Sequence, residues 1–408
     1  MVKKGVTRVT AQDIAREGGL AALLARAVKN ATSGNEETME LAAARMSSLA
    51  EQNHCQHATD LLGAGAVPAL VSVLVHGTAS AQASAAKALH FIAIGQPVHQ
   101  QAIVDAGGVA PLAELLRFGS AKVQEDAAAA LAALVADVSH QRAIIDAGSV
   151  VSLVAILSSG SASAQASAAQ CLTNVAAFGL EGQVVILKAG AIPLLLALLS
   201  VGKAQMPAAG CLAKLATGNR EMQTAIADGE CIAPLVALLV GRDLPAQETA
   251  AEALAQLAAN NADTQAAIAK AGSISPLLAL LASRSSAAQS RGMRALAQLA
   301  HGNEDNQQAI AKMDGIKPLV RLLEHGNGAD VQANAAQALM EISRTNAANR
   351  RIVVSHGGID LLAELMKSSN HFHVKAEVAG ALYTLSESPE IKIMIAKSAS
   401  ALRTLGLY

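Results

Sequence analysis

The 408-residue sequence contains no tryptophan, two tyrosines and four phenylalanines, so aromatic residues make up only 1% of the chain. Charged residues are also scarce, at 15%, and they balance to a formal net charge of -1. A nucleic-acid binder needs a basic surface and usually aromatic stacking platforms, whereas a disordered chain needs high net charge and low hydrophobicity. Because 52% of the residues are hydrophobic, the sequence predicts a folded protein that does not bind nucleic acid.

Cysteines are few as well, and no two of them form a CxxC pair. The four are Cys55, Cys171, Cys211 and Cys231. Such sparse usage is typical of reduced, buried thiols and not of a disulfide framework. We therefore expect a protein of the cytosol or the nucleus.

Long hydrophobic runs are also missing. The apolar stretch AGAIPLLLALLSV at 189–201 is too short to span a bilayer. The first residues, MVKKGVTRVTAQDIAREGG, contain no apolar core of signal-peptide length. The sequence therefore predicts no membrane insertion.

Self-similarity is abundant instead. Variants of one phrase, such as AGAVPALVSVL, AGGVAPLAELL and AGSISPLLALL, recur along the chain at spacings of 40 to 43 residues. Their last residues are Leu74, Leu116, Leu157, Leu199, Leu239, Leu281, Leu323 and Met366. A divergent earlier copy ends at Leu24, which gives about nine units. A fixed period of this length is the signature of a repeat architecture.

Each unit is predicted to form three helices. The first is short, as in QQAIVDAG and NQQAIAKMDG, and is expected to end at a glycine that can adopt a positive φ. The third is longer and alanine-rich, as in AQETAAEALAQLAAN, and ends in a polar loop. Apolar residues recur at helical steps, with no strand pattern. The second helix is expected to begin at a proline, namely Pro68, Pro111, Pro193, Pro234, Pro276 and Pro318.

The period near 42, the glycine-proline-leucine phrase and the alanine-rich third helix together resemble the armadillo-repeat family. The HEAT family has a similar period but uses two helices per unit and lacks the short first helix. The resemblance implies an all-α, right-handed superhelix of about nine three-helix repeats, occupying residues 18–398. Residues 1–17, where Thr10 and Asp13 form an N-cap signal, and residues 399–408 would then cap the two ends.

In this family the third helices line a concave groove that binds extended peptides. Alignment of the third helices on their shared leucine places ten polar residues of this chain in such a groove. They are Lys87, Gln170, Asn174, Lys214, Glu252, Gln256, Arg294, Gln298, Gln337 and Glu341. Their amides either pair with a peptide main chain or are simply solvated polar groups, and the sequence leaves both interpretations open. Basic and acidic residues alternate, so a uniformly basic groove of the β-catenin type is not supported.

The resemblance predicts a monomeric, non-enzymatic scaffold or adaptor for partner proteins or extended peptides. Two alternatives remain. Import adaptors of the importin-α type use a ladder of Trp followed four residues later by Asn, and of that ladder this chain has only Asn174. Plant-type ubiquitin ligases pair armadillo repeats with a U-box, so the chain could instead be the substrate-recognition subunit of a ligase whose catalytic domain is on another polypeptide.

Motifs that carry chemistry are missing. There is no P-loop, HExxH or GxSxG, and the glycine-rich phrases recur in every unit as helix junctions. His54, Cys55 and His57 lie close together in one loop, but the fourth ligand of a zinc site is not evident. His371 and His373 flank Phe372 in another loop. The sequence therefore predicts no catalytic residues, no cofactor and no metal.

Overall fold

The computed structural model describes residues 8–52, 57–134, 138–200, 202–324 and 326–397. All regular structure within these ranges is helical and contains no strand, which confirms the all-α class. The chain forms two compact units, one up to Cys211 and one from Leu212.

Among the described residues, fourteen α-helices lie wholly in the first unit, and the boundary between the units falls inside a fifteenth. The fourteen are α1 (Ala11–Arg16), α2 (Leu20–Ala31), α3 (Glu36–Glu51), α4 (Ala58–Gly63), α5 (Ala66–His76), α6 (Ala79–Ala93), α7 (Pro97–Asp105), α8 (Val109–Phe118), α9 (Ala121–Leu134), α10 (Val138–Asp146), α11 (Ser149–Ser159), α12 (Ala162–Ala176), α13 (Leu180–Lys188) and α14 (Ala191–Leu198). The helix at the boundary is α15 (Gln205–Ala216).

In each triplet of the second unit, two shorter helices precede a third helix of 15 residues. The described helices of this unit are α16 (Arg220–Asp228), α17 (Ile232–Val240), α18 (Leu244–Ala258), α19 (Ala262–Lys270), α20 (Ile274–Leu280), α21 (Ser286–Ala300), α22 (Glu304–Lys312), α23 (Ile316–Arg321), α24 (Ala329–Ser343), α25 (Ala347–Ser355), α26 (Gly358–Ser368), α27 (Phe372–Ser386) and α28 (Pro389–Lys397). How many of these triplets count as armadillo repeats stays a prediction.

Asparagine side chains start the first helix of several triplets. Asn219, Asn261, Asn303 and Asn346 each accept a hydrogen bond from the backbone N–H three residues later. This bond satisfies one of the backbone donors that a helix N-terminus leaves unpaired. The polar loops at the ends of the third helices therefore also set where the next triplet begins.

The expectation that the second helix begins at a proline was wrong by two residues. Helices α5, α8 and α17 begin at Ala66, Val109 and Ile232, so their prolines occupy the third helical position. The backbone N–H of that position also lacks an intrahelical acceptor. Proline is therefore tolerated there as well as at the first position.

The expected glycine stop was also wrong in two triplets, because after α16 Glu230 adopts the positive φ, at 62°, while Gly229 has a φ of -77°. In the sequence Met-Asp-Gly after α22, Asp314 adopts the positive φ of 56° and Gly315 has a φ of -72°. Gly315 serves a different purpose, because a Cβ there would lie 2.8 Å from Leu278 Cδ2 and from Ile310 Cγ2. The glycine allows close packing, while the aspartate takes the left-handed turn.

The third helices form the core of each unit. Helices α3, α6, α9 and α12 pack side by side in the first unit, as do α18, α21, α24 and α27 in the second. Their buried faces are mainly alanine and leucine, as in α18. Small residues let these helices approach closely: a Cβ added to Gly380 of α27 would lie 2.8 Å from Met340 Sδ of α24. The scarcity of aromatic rings follows from this packing.

The N-terminal cap signal is confirmed. The side chains of Thr10 and Asp13 each bond the backbone N–H of the other, which forms a capping box at the start of α1. The predicted cap helix at 399–408 lies outside the described residues. The bounds predicted for the cap segments and for the repeat array stay a prediction.

Candidate functional site

The predicted groove residues lie on the third helices, and all of them except Glu341 are half-buried or exposed. In the first unit these residues are Lys87 on α6 and Gln170 and Asn174 on α12. Lys87 Nζ lies 2.7 Å from Glu51 Oε2 at the end of α3 and 5.8 Å from the centre of the Phe91 ring. The lysine is therefore held between two neighbours.

Gln170 and Asn174 lie one helical turn apart and bond each other. Gln170 Nε2 donates to Asn174 Oδ1 at 3.3 Å, and Asn174 Nδ2 donates to the Ala132 carbonyl of α9 at 3.4 Å. Each amide uses only part of its hydrogen-bonding capacity in these contacts. No donor among the described residues bonds the Oε1 atom of Gln170, which therefore remains available as an acceptor at the protein surface.

An open cavity of about 410 Å³ lies beside Gln170, across α6, α9 and α12. Its floor consists of small side chains, and His90 and Ile94 form its opposite wall. The small residues are Ala129, Ala132, Ala133, Ala166 and Ser167. The cavity therefore offers apolar surface beside one surface amide.

His90 adds a polar atom to this cavity. Its Nδ1 lies 2.9 Å from the Ala129 carbonyl oxygen, which can only accept, so Nδ1 carries the proton. Burial lowers the pKa of His90, and this effect outweighs the hydrogen bond to Ala129 and the charge of Asp126, which raise it. The imidazole is therefore neutral at pH 7, and its Nε2 atom is an acceptor.

In the second unit, three of the predicted residues form one cluster. Gln256 Nε2 donates to Glu252 Oε1 at 2.8 Å, and Arg294 Nη1 donates to Glu252 Oε2 at 3.0 Å. The carboxylate of α18 thereby links its own helix to α21. Opposite charges on this face satisfy one another, and the cluster has no strong excess of either sign.

The remaining predicted residues differ in how far they are engaged. Gln298 and Gln337 are half-buried on α21 and α24, and neither side-chain amide has a hydrogen-bond partner among the described residues. Lys214 is exposed on α15. Gln298 and Gln337 are thus the predicted residues of this unit with the most hydrogen-bonding capacity to offer a ligand.

Glu341 is buried in an ion cluster. Its carboxylate accepts from Arg344 at 2.6 Å and from His301 Nδ1 at 2.9 Å. Burial raises the pKa of Glu341, but the hydrogen bonds from Arg344 and His301 outweigh it and the pKa is lowered. Glu341 therefore links α24 to the end of α21 through its hydrogen bond with His301.

The sequence interpretation missed a column of buried glutamines in the first helices of the triplets. Gln265 Nε2 donates to the carbonyl oxygens of Gln298 at 2.9 Å and His301 at 3.1 Å. Gln223 and Gln307 make the corresponding bonds to the carbonyl oxygens of Gln256 and Glu341, in each case on the third helix of the same triplet. These bonds therefore fix the backbone of the third helices that carry the predicted groove residues.

Histidine and cysteine side chains bear on the prediction that the chain holds no metal. Within the part of the chain that the structure describes, no group of three or more His, Cys, Asp or Glu side chains could hold a metal ion. His54 and Cys55 lie outside the described residues. Cys171, Cys211 and Cys231 are free, buried thiols whose pKa is raised by burial, to about 12 for Cys211 and Cys231. These three thiols are poor nucleophiles.

Membrane-spanning potential is low for individual helices. Among the described residues, no single helix is long and apolar enough to cross a bilayer, although three sharply bent pairs of short helices meet the length and composition criteria when each pair is counted together.

Stacked helix triplets with a buried polar column define an α-helical repeat protein of the solenoid class. The family model for the Armadillo/beta-catenin-like repeat matches residues 96–136 and 346–387, which correspond to the triplets α7–α9 and α25–α27. The chain belongs to the armadillo-repeat family. Armadillo solenoids commonly act as protein-interaction scaffolds and are generally non-catalytic.

Solved structures agree with this assignment. The crystal structure of one engineered protein is 33% identical, with a TM-score of 0.82, and the match covers 94% of this chain and 93% of that protein. A designed armadillo repeat protein is 28% identical, with a TM-score of 0.54, over 58% of this chain and 99% of its own. A second engineered protein is 33% identical, with a TM-score of 0.55, over 58% of this chain and 96% of its own. None of the curated proteins matches the chain.

Proposed function

We propose that the chain is a non-enzymatic scaffold of the cytosol or nucleus that binds an extended segment of a partner protein across α6, α9 and α12. The observation that carries this proposal is the alanine-floored cavity beside Gln170. An extended peptide presents alternate side chains to a surface and keeps its main-chain groups available for pairing. A cavity with an adjacent surface amide suits both features.

The apolar floor supplies the affinity. Burial of one aliphatic side chain stabilises a complex by about 1.5–3 kcal/mol, whereas one main-chain hydrogen bond contributes about 1 kcal/mol. Gln170 uses Nε2 and His90 uses Nδ1 in their bonds within the chain. Gln170 Oε1 and His90 Nε2 can therefore each accept a hydrogen bond from a peptide N–H. We therefore expect ligands with a large apolar residue flanked by extended backbone.

The experiment selects peptides from a random phage library on the immobilised full chain and measures their affinity for two variants. Ala133→Phe fills the cavity from its floor. Ala110→Phe adds the same ring to an exposed position of α8 that does not line the cavity. The selected peptides should bind the Ala133 variant about 10- to 100-fold more weakly, because the aliphatic contact is lost. They should bind the Ala110 variant as they bind the parent chain.

Two results would overturn the proposal. One is equal affinity of the selected peptides for the parent and the Ala133 variant. The other is enrichment of no peptide at all. Circular dichroism of both variants confirms that each retains its helices, so a loss of binding is attributed to the filled cavity.

A further inference from the structure

A second cavity, of about 590 Å³, lies in the unit that starts at Leu212, where the N-terminal ends of α21, α24 and α27 meet. The described residues that line it include two arginines and two histidines, and Asp330 is the acidic one. The donor-bearing side chains are Ser286, Ser290, Arg291, Arg294, Asn334, His371 and His373. Because carboxylates pair with both arginines, the cavity has no strong excess of charge, and what it offers an anion is a set of hydrogen-bond donors.

Carboxylates on α18 hold both arginines in place. Arg291 Nη1 lies 2.7 Å from Glu248 Oε2, and Arg294 Nη1 lies 3.0 Å from Glu252 Oε2. The side chains of Glu248 and Glu252 are only 15% and 22% exposed, so they are themselves fixed. A guanidinium group has five N–H donors, and each of these bonds uses one of them. Neither arginine has another hydrogen-bond partner in the described ranges.

The opposite wall adds further donors. His371 and His373 lie with their ring centres 5.6 Å apart, and His373 Nε2 is 3.3 Å from Asp330 Oδ1. The Asp330 side chain is 88% exposed, so it can turn into solvent when an anion enters. The first turn of α24 also lines the cavity, and its N-cap residue Gly328 has no side chain to occupy the backbone N–H groups there.

We propose that this cavity binds the phosphoryl group of a phosphorylated serine or threonine in a partner protein. Two pre-positioned guanidinium groups with further imidazole and backbone donors exceed what a single carboxylate can accept. They suit the three oxygens and the near-double charge of a phosphomonoester. The volume also leaves room for the residues next to the phosphorylated one. Clusters of arginine are a recurrent means of recognising phosphorylated segments.

The experiment measures capture of the purified full chain on beads that carry a degenerate heptapeptide library with phosphoserine at its centre. Matched libraries carry serine or aspartate at the same position. Capture on the phosphoserine beads should exceed capture on the serine beads at least about tenfold. The aspartate beads should fall between the two, because a carboxylate engages fewer donors.

Variants of the cavity test the assignment. The double change Arg291→Gln and Arg294→Gln should reduce the phosphoserine preference to below about twofold. Ala287→Glu should do the same by placing a carboxylate at the rim while leaving both arginine-glutamate bridges intact. Arg142→Gln is the matched control, because Arg142 on α10 also pairs with a carboxylate, Glu181, at 2.8 Å, but lies outside the cavity. It should behave as the parent chain.

Equal capture on phosphoserine and serine beads would overturn the proposal, as would a preference that survives both cavity variants. Inorganic phosphate is tested as a competitor. If it alone occupies the site as tightly as the phosphopeptides do, the ligand is a free anion and docking of a partner is refuted. Ala133→Phe should leave phosphopeptide capture unchanged, so the result is independent of the peptide site on α6, α9 and α12.

Discussion

Replacement of Gln265 by methionine should destabilise the chain around α19 and α21 by about 3 kcal/mol. The glutamine side chain is only 2% exposed. It donates to the carbonyl oxygens of Gln298 and His301 and accepts from Asn303 Nδ2 at 3.3 Å. Methionine has a similar length and volume, so it leaves no cavity but removes all three hydrogen bonds. A net contribution of about 1 kcal/mol for each bond gives the estimate.

Urea unfolding followed by circular dichroism measures this loss, because the chain has no tryptophan to report by fluorescence. Hydrogen exchange localises it: amide protection in α21 should fall about a hundredfold, which corresponds to about 3 kcal/mol. Gln308→Met on α22 is the matched control, since Gln308 is exposed, and it should change stability by less than about 0.5 kcal/mol. If both variants lose the same stability, the buried hydrogen bonds of Gln265 do not contribute the stability estimated for them.

Two further changes test the backbone and the electrostatics. Glu230 has a φ of 62°, so Glu230→Gly should relieve strain and raise the urea midpoint by the equivalent of about 0.5–1 kcal/mol; a lower midpoint would contradict this. Burial, and then the charge of Glu341, raise the pKa of Glu377. The ionised Glu377 carboxylate therefore destabilises the folded chain at pH values above its raised pKa. This destabilisation disappears as the pH falls to about 4. Glu377→Gln should stabilise the chain at pH 7 but not at pH 4; equal gains at both would refute the shift.

The fold could be predicted from local patterns because the same pattern is repeated in unit after unit. The capping box of Thr10 and Asp13 and the long alanine-rich helices follow from residues a few positions apart. The position of the left-handed residue at Asp314 could not be predicted. It depends on Leu278, in the preceding triplet, which approaches Gly315 so closely that a side chain is excluded there.

The candidate site was harder to predict, because equivalent positions have different partners. Gln298 and Glu341 occupy the same position in their triplets, yet Glu341 bonds His301 from the preceding triplet and Gln298 bonds no side chain among the described residues. The buried glutamines did leave a signal. Gln223, Gln265 and Gln307 each precede a buried isoleucine by three residues, and a polar residue that recurs so regularly beside a core position indicates a buried bond.

The buried column also bears on how such a chain can change in length. Gln307 Nε2 bonds the Ala300 carbonyl oxygen at the end of α21, in the preceding triplet, as well as the Glu341 carbonyl oxygen of its own third helix. The triplet α22–α24 therefore brings the amide that pairs with its predecessor and, in the Ile342 carbonyl oxygen, the acceptor for Asn349 of its successor. Insertion or loss of a whole triplet leaves every interior donor with an acceptor, whereas gain or loss of part of one does not. Growth by duplication of complete units, as the repeated octapeptide ASAQASAA at 79–86 and 162–169 suggests, meets this constraint.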